Sequence, residues 1–320
     1  MMAEKLANCA QLDYPQDKIE FLIGSDGSTD GTNDIVSSSV GMRLLAFSKR
    51  EGKGSVLNKT VSEARADVIV FSDANTMYRS DAVRELVRHF ENPQVGCVSG
   101  RLVLVNRTMD AGARGEGVYW RYETMLKRLE SRVHSLIGAN GAIYAIRRHL
   151  YKPVPFGLIN DDFFISMKVL EQRYRVIYTP TAIGVEETAP NLEGEFVRHV
   201  RDATGHYQAM RYALRLLHPT YGLVAFEYFS HRIIRWSVPL LLLIMLVANG
   251  VLGGTTPYQY LLLVHLLVYG FSGLAWLLRR LDISIGPLYV PLYFFALNLA
   301  LAVGFYRYLR GNITWERVRP

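Results

Sequence analysis

The sequence predicts an α/β domain followed by a membrane-embedded helical region, and three observations support this. Apolar strand patterns alternate with helical ones through the first half of the chain. Two of those strands end in an aspartate, and the last third carries apolar stretches without charge. Alternating strands and helices build a sheet covered by helices, and such sheets bind ligands at the carboxyl ends of their strands. A spanning helix needs about 20 apolar residues.

The chain opens in a helical pattern, Met2 to Ala10, without the strand that should precede it in an α/β unit, so an upstream segment supplying that strand is expected. No cleavable signal peptide is read there. The first strand, Ile19-Glu20-Phe21-Leu22-Ile23-Gly24, runs into Ser25-Asp26-Gly27-Ser28-Thr29-Asp30-Gly31-Thr32, a turn-rich stretch that opens a helix. This puts Asp26 at the ligand-binding edge, and Asp30 suits the helix cap. Asn58 to Arg65 and Asp81 to Phe90 read as helices, the second capped by Ser80 or Asp81 and stopped shortly after its end by Pro93. Between them the strand Val68-Ile69-Val70-Phe71 ends in Ser72-Asp73-Ala74-Asn75, and Val95 to Val105 adds a further strand. Gly112, Gly115 and Gly117 read as a flexible loop, and Asp161-Asp162 stand ahead of a helix from Phe163 to Gln172.

Half of the 320 residues are apolar, and from Trp236 to Leu278 there is no Asp, Glu, Lys or Arg. Two spans are expected near 236–252 and 259–278, separated by the Asn249 to Pro257 loop, with a third at 287–306. Arg232 and Arg235 before the first span and Arg279-Arg280 after the second place the large N-terminal domain in the cytosol. By that count the tail lies outside, whereas Arg307, Arg310, Arg317 and Arg319 favour the inside, so the two demands conflict. An apolar seam of Leu192, Phe196, Val200, Ala203, Tyr207, Met210, Leu214 and Leu217 predicts an amphipathic helix placed at a membrane surface, although a helix packed on the soluble domain would show the same stripe. The net charge of +7 lies beside the apolar helices, which favours membrane lipids with anionic headgroups and phosphorylated substrates; no nucleic-acid motif is present. Cys9 and Cys97 suit packing in a reducing compartment, and the eight histidines are too scattered for a metal site.

Five ordered motifs carry a family resemblance: Asp26 to Thr32 (DGSTDGT), Arg50-Glu51-Gly52-Lys53-Gly54 with Leu57-Asn58, Phe71 to Asn75, Gly138 to Tyr144 (GANGAIY), and Asn160-Asp161-Asp162. Together they resemble the family 2 glycosyltransferases over most of residues 1–235, in particular the membrane-bound cellulose-synthase-like and poly-N-acetylglucosamine-synthase-like members. The resemblance implies a GT-A (Rossmann-like) fold, a nucleotide-diphosphate sugar donor with UDP-sugars favoured, and inverting transfer to the hydroxyl of a glycan or lipid acceptor.

Carried over residue by residue, the resemblance makes Asp26 the contact to the nucleotide base and Asp162 the general base that takes the acceptor proton. Asp73 and Asn75 match the DxD motif that holds Mg²⁺ or Mn²⁺ against the diphosphate, with Asn75 in place of the second carboxylate. Lys53 approaches a phosphate as a point charge, Gly141 in its small-residue run lets backbone come close to the sugar or acceptor, and Asp161, where the family usually has Glu, is placed with Gly141 and Arg201 among the residues that bind the acceptor or diphosphate. Many members carry QxxRW further on. Here Arg198-His199-Val200-Arg201-Asp202 keeps the arginine as Arg201 but loses the Gln and the Trp, and with the Trp a stacking platform for a growing polymer.

The implied organisation is a catalytic domain over 1–190, amphipathic interfacial helices over 191–235, about three transmembrane helices over 236–310 and a basic tail over 311–320. Two other readings stand beside it: another nucleotide-dependent transferase of the same fold, such as a nucleotidyltransferase, and a truncated membrane protein without turnover.

Overall fold

A computed structural model describes residues 1–105, 112–187, 192–281, 283 and 286–311; the side chains of 112–120, 192 and 193 are outside the description. The chain divides into two compact units, one of residues 1–105, 124–188 and 208–228 and one of 106–123, 189–207 and 229–320.

The first unit opens with α1 (Met2–Ala10), then β1 (Phe21–Asp26), α2 (Thr32–Ser37), β2 (Met42–Phe47), α3 (Lys53–Ser62), β3 (Val68–Ser72), the short β4 (Met77–Tyr78) and α4 (Ala82–Val87). It continues with β5 (Val95–Val105), the part of α5 (Gly112–Val133) from Thr124 on, β6 (Ile143–Arg147), α6 (Asp161–Glu171) and β7 (Arg175–Glu187). β1 and β2 pair in parallel as a sheet of two, and the other strands form a mixed sheet in the order β3-β6-β5-β7-β4. Among the described residues β1 pairs only with β2, and β3 only with β6. β5 runs antiparallel to β6 but parallel to β7, with a register shift between Ser99 and Arg101. Gly100 sits in that shift, where an added Cβ would lie 2.8 Å from the Ala182 carbonyl oxygen, so the sheet closes there only around a glycine.

The core explains why these strands hold. Leu12, Tyr78, Ala82, Leu86, Val95, Val98, Ile143 and Ala182 are buried together, and Phe21, Val68 and Val70 pack against them. On α6 nearly every apolar residue is buried, Phe163, Phe164, Ile165, Met167, Val169 and Leu170 among them, so the helix that opens with Asp161 and Asp162 is locked in place.

Some sequence expectations need revision. Helix α3 begins at Lys53, five residues before Asn58, because Gly52 takes φ +88° as the entry residue and Gly54 is buried against Val154, so these glycines start and pack a helix rather than form a loop. Gly112, Gly115 and Gly117 lie in α5 rather than in a loop. Asp81 stands at the entry to α4, but its carboxylate accepts from Arg79 (2.5 and 2.8 Å) instead of capping the helix.

In the second unit, α7 (Leu192–Ala213), most of which belongs here, packs on α9 (Ile234–Val251) and α11 (Tyr289–Leu309). Tyr207 donates to the Trp236 carbonyl oxygen (2.7 Å), and Gly304 lets α11 come so near that a Cβ would lie 2.6 Å from that of Ala203. Of the predicted seam, Val200, Ala203 and Tyr207 are buried, whereas Leu214 is exposed. A 3₁₀ turn at Leu214–Leu217 breaks the helical period and turns Leu216 inward in its place. The Leu192 side chain, Arg317 and Arg319 fall outside the description.

Among the described residues three helical stretches are long and apolar enough to cross a membrane: Leu223–Val251, which includes α8 (Leu223–Tyr228) and α9, then α10 (Thr256–Arg280), then Gly286–Leu309, which includes α11. The first covers the expected 236–252 span except for its last residue, and the other two contain the expected spans 259–278 and 287–306. Their outward faces carry residues such as Leu243, Val247, Val264, Leu267 and Trp276, exposed to an extent that water does not favour.

Candidate active site

The predicted acids of the first unit converge although they come from separate segments. Asp26, the last residue of β1, accepts the backbone N–H groups of Glu51 (2.6 Å) and Gly52 (2.9 Å), one on each carboxylate oxygen. It thereby fastens β1 to the entry of α3, and each oxygen keeps a lone pair for a further donor. Asp30 serves the start of α2, its Oδ1 accepting from the Thr32 N–H at 3.3 Å.

Lys53 is the central cation. Its Nζ donates to Asp73 Oδ1 at 3.0 Å and lies 3.3 Å from Asp161 Oδ1, so the first residue of α3 joins the end of β3 to the first residue of α6. Burial works against its charge, but Asp161, Asp73 and Asp162 together hold Lys53 above the usual lysine range. The turn after β3 closes with the Thr76 N–H on the Asp73 carbonyl oxygen (3.2 Å), leaving Asp73 and Asn75 partly exposed in the same turn.

Asp161 and Asp162 differ in environment. Asp161 is buried; burial raises its pKa, Lys53 pulls it down, and the net direction is upward. Asp162 accepts from the Phe163 N–H (2.8 Å) and is pushed up to about 7, first by burial and then by the adjacent Asp161 charge. Its other oxygen faces Gly141, where an added Cβ would lie 2.9 Å from Asp162 Oδ2. The small-residue run is laid directly on α6: Gly138, at φ +92°, would press a Cβ to 2.7 Å from the Phe163 ring, and the Ala139 N–H donates to Ser166 Oγ (3.0 Å).

The resulting cluster brings together Lys53, Asp73, Asp161, Asp162 and Gly141, with Asn75 and Asp26 on the segments that hold it. For a hard cation the turn could offer one carboxylate and one amide oxygen, at Asp73 and Asn75. This suits Mg²⁺ or Mn²⁺, which bind through one or two protein groups and complete their shell with phosphate and water oxygens. Among the described residues no group of three or more His, Cys, Asp or Glu offers a full protein cage.

Arg201 belongs to the second unit. Its guanidinium donates to Asp202 Oδ1 (3.0 Å), and Arg198 approaches Asp202 Oδ2 at 3.7 Å. Burial opposes ionisation of Asp202, yet Arg198 and Arg201 hold its carboxyl below the usual range. The residue that replaces the family tryptophan therefore binds two arginines on its own helix.

Sequence reasoning missed several supports. Asn58 takes the Tyr151 hydroxyl (2.6 Å) and the Val154 N–H (2.8 Å) and donates to the Val154 carbonyl (2.9 Å), tying α3 to the segment before Asp161. Lys5 and Asn8 reach β3 and β4 from α1; a lysine in line with Cys9 and Leu12 on a buried stripe was the available signal.

Residues 2–153 match the family model described as glycosyl transferase family 2. Over that part of its length the chain is similar to glycosyl transferase family 2. Among its curated relatives, the poly-beta-1,6-N-acetyl-D-glucosamine synthase of Staphylococcus epidermidis is 24% identical over 214 residues, covering 65% of this chain and 52% of that protein. The synthase of the same name from Staphylococcus aureus strain COL is 23% identical over the same length, with the same coverage. The chain thus spans about half the length of the curated relatives it matches. Among solved structures, the mannosyltransferase PcManGT from Pyrobaculum calidifontis, in complex with GDP-Man and Mn²⁺, superimposes with a TM-score of 0.68 at 23% identity, over 96% of this chain and 83% of that one. The family's GT-A fold is therefore the fold of this chain.

Proposed function

We propose that this protein is a family 2 glycosyltransferase, a membrane-bound inverting enzyme that transfers a sugar from a nucleotide-diphosphate donor to an acceptor hydroxyl, in polysaccharide or glycolipid synthesis. The observation that carries the reading is the meeting of Asp73, Asp161 and Asp162 around Lys53, since a site for a diphosphate sugar needs charge balance at the phosphates and a base beside the sugar. The polysaccharide synthases among the relatives support the product class, and the solved mannosyltransferase with its nucleotide sugar and Mn²⁺ supports the donor class.

In this reading Asp162 takes the proton from the acceptor hydroxyl as that oxygen attacks the anomeric carbon. The bond from that carbon to the diphosphate breaks on the opposite face, which inverts the centre. A carboxylate with its pKa pushed up to about 7 is well matched to that transfer, because a base works best with a pKa near the working pH. Gly141 leaves the space in which the acceptor oxygen meets Asp162. Lys53 offers its charge to the donor phosphates while Asp161 fixes its position, and Asp26 receives an N–H of the base on its remaining lone pairs. Asp73 and Asn75 would hold the divalent cation, whose chemistry is to neutralise the charge that gathers on the departing diphosphate. Arg201 is assigned to the diphosphate or the acceptor end by its place in the motif.

The proposed setting is a multi-pass protein of the cell membrane, its catalytic domain over 1–190 in the cytosol, interfacial helices over 191–235, spans over 236–310 and a basic tail over 311–320. The three apolar helices and the basic residues beside them support it.

The test is nucleotide release from a panel of UDP- and GDP-sugars with Mg²⁺ or Mn²⁺, comparing the detergent-purified protein with Asp162→Asn. Expected is metal-dependent release that falls about 10²- to 10⁴-fold in the variant, the usual value of a general base. Release that is equal in the two proteins would overturn the assignment of Asp162.

A further inference from the structure

The turn that carries Asp73 and Asn75 is held from behind by a charged residue on α1. Lys5 is buried, with 6% of its surface exposed. Its Nζ donates to Ser72 Oγ at 2.6 Å and to the Thr76 carbonyl oxygen at 2.6 Å, the two residues that bracket Asp73, Ala74 and Asn75. The ammonium also lies 4.6 Å from the centre of the Tyr78 ring.

Neighbouring groups complete the clamp. Thr76 Oγ1 donates to Glu186 on β7 (2.5 Å), and the Tyr78 hydroxyl donates to the Phe71 carbonyl (2.8 Å). The Asn8 side chain accepts from the Tyr78 N–H (2.7 Å) and donates to the Tyr78 carbonyl (2.8 Å), so α1 holds β4 as a neighbouring strand would. From Phe71 to Tyr78 the backbone is therefore anchored on both sides of the three outward residues.

An ammonium loses much hydration when it is buried, and burial does pull Lys5 below the usual lysine range. A buried lysine that carries only structural load could be replaced by an apolar side chain of similar length. Here the charge is directed at both ends of one turn, and that turn bears the only side chains assigned to the cation.

We propose that Lys5 is a positioning residue for the Asp73–Asn75 turn, and that α1 through it sets the affinity of the site for a divalent cation and a nucleoside diphosphate. The inference rests on the glycosyltransferase reading of the site. Lys5 touches neither substrate nor cation in this role; it fixes the separation and direction of the two side chains that do. Groups of this kind, behind the ligands themselves, typically alter metal affinity 10- to 100-fold when removed.

The test is equilibrium binding of Mn²⁺ with UDP or GDP to the full chain in detergent, followed by calorimetry and by the Mn²⁺ electron paramagnetic resonance signal. Wild type, Lys5→Met, Ser72→Ala and Asp73→Asn are compared, each with its thermal unfolding midpoint. Expected is a 10- to 100-fold weakening of Mn²⁺-dependent nucleotide binding in Lys5→Met, and a smaller loss in Ser72→Ala, which removes one tether at an exposed residue. In turnover, the half-saturating Mn²⁺ concentration should rise while kcat at saturating Mn²⁺ changes little. A folded Lys5→Met that binds Mn²⁺ and nucleotide as wild type does, whatever its unfolding midpoint, would overturn the positioning role. If Lys5→Met does not fold, Ser72→Ala decides, and unaltered binding there overturns it as well. Wild-type binding no tighter than that of Asp73→Asn would instead overturn the reading of the site itself, and the inference with it.

Discussion

Replacing Gly141 by alanine should damage catalysis while sparing the fold. Gly141 is not among the glycines with positive φ, so its backbone accepts an L side chain without strain. The added Cβ would, however, stand 2.9 Å from Asp162 Oδ2 and 3.2 Å from its Cγ. Comfortable carbon contacts begin near ~3.5 Å, so the carboxylate has to retreat by roughly 0.6 Å. It cannot do so freely, because Asp162 Oδ1 accepts from the Phe163 N–H at 2.8 Å and the residue lies in the first turn of a buried helix. A misplacement of about 1 Å can cost about 10²-fold in rate, so kcat should fall about 10- to 100-fold. The rotamer strain on Asp162, about 0.5–1.5 kcal/mol, is partly offset by the smaller entropy of the unfolded alanine chain, about 0.4–1 kcal/mol. Stability should therefore stay within about 1 kcal/mol of wild type. The assay is nucleotide release at saturating donor and Mn²⁺, with thermal unfolding on the same preparation. A folded Gly141→Ala protein with unaltered kcat would refute the argument that this contact places the base.

Three further predictions follow from the charges. Catalysis needs Asp162 deprotonated, and its pKa is raised to about 7, so kcat/KM should fall as pH drops through about 7, tenfold for each unit well below it. Asp161→Asn removes a like charge that raises Asp162, so the acid limb should move to lower pH, though not to that of a free carboxylate, because burial persists; a limb that stays or moves up contradicts the coupling. Asn75→Asp adds a second anionic oxygen donor beside Asp73, so the half-saturating Mn²⁺ concentration should fall, and a rise measured by titration of turnover would show that Asn75 does not face the cation.

What could be read from the sequence was local. The pattern of Met2 to Ala10 is α1, with Lys5 and Cys9 buried one turn apart, and Val95 to Val105 is β5, a run rich in valine whose first six residues are all buried, so both are written along the chain itself. Asp26 and Ser72-Asp73 come at the ends of β1 and β3, as turn chemistry after an apolar run requires, and the apolar spans needed only length and lack of charge to be seen. Helix boundaries were less legible where a glycine had a tertiary purpose: Gly54 packs against Val154, and no local signal distinguishes that from a loop.

The site itself was decided by tertiary structure. Lys53 meets Asp161 across 108 positions, Gly141 faces Asp162, and Lys5 reaches Thr76 only because sheet order and helix packing bring those segments together. Such contacts depend on the summed burial of many side chains rather than on any short pattern, and so do the pKa values, since the upward shift of Asp162 comes first from desolvation and only then from its neighbour in sequence. The motifs named the chemical groups by themselves. Which of them share a proton, a cation or a wall was settled by the packing of α1, α3 and α6 around the ends of β1 and β3, because charge interactions and steric contacts act through space and not along the chain.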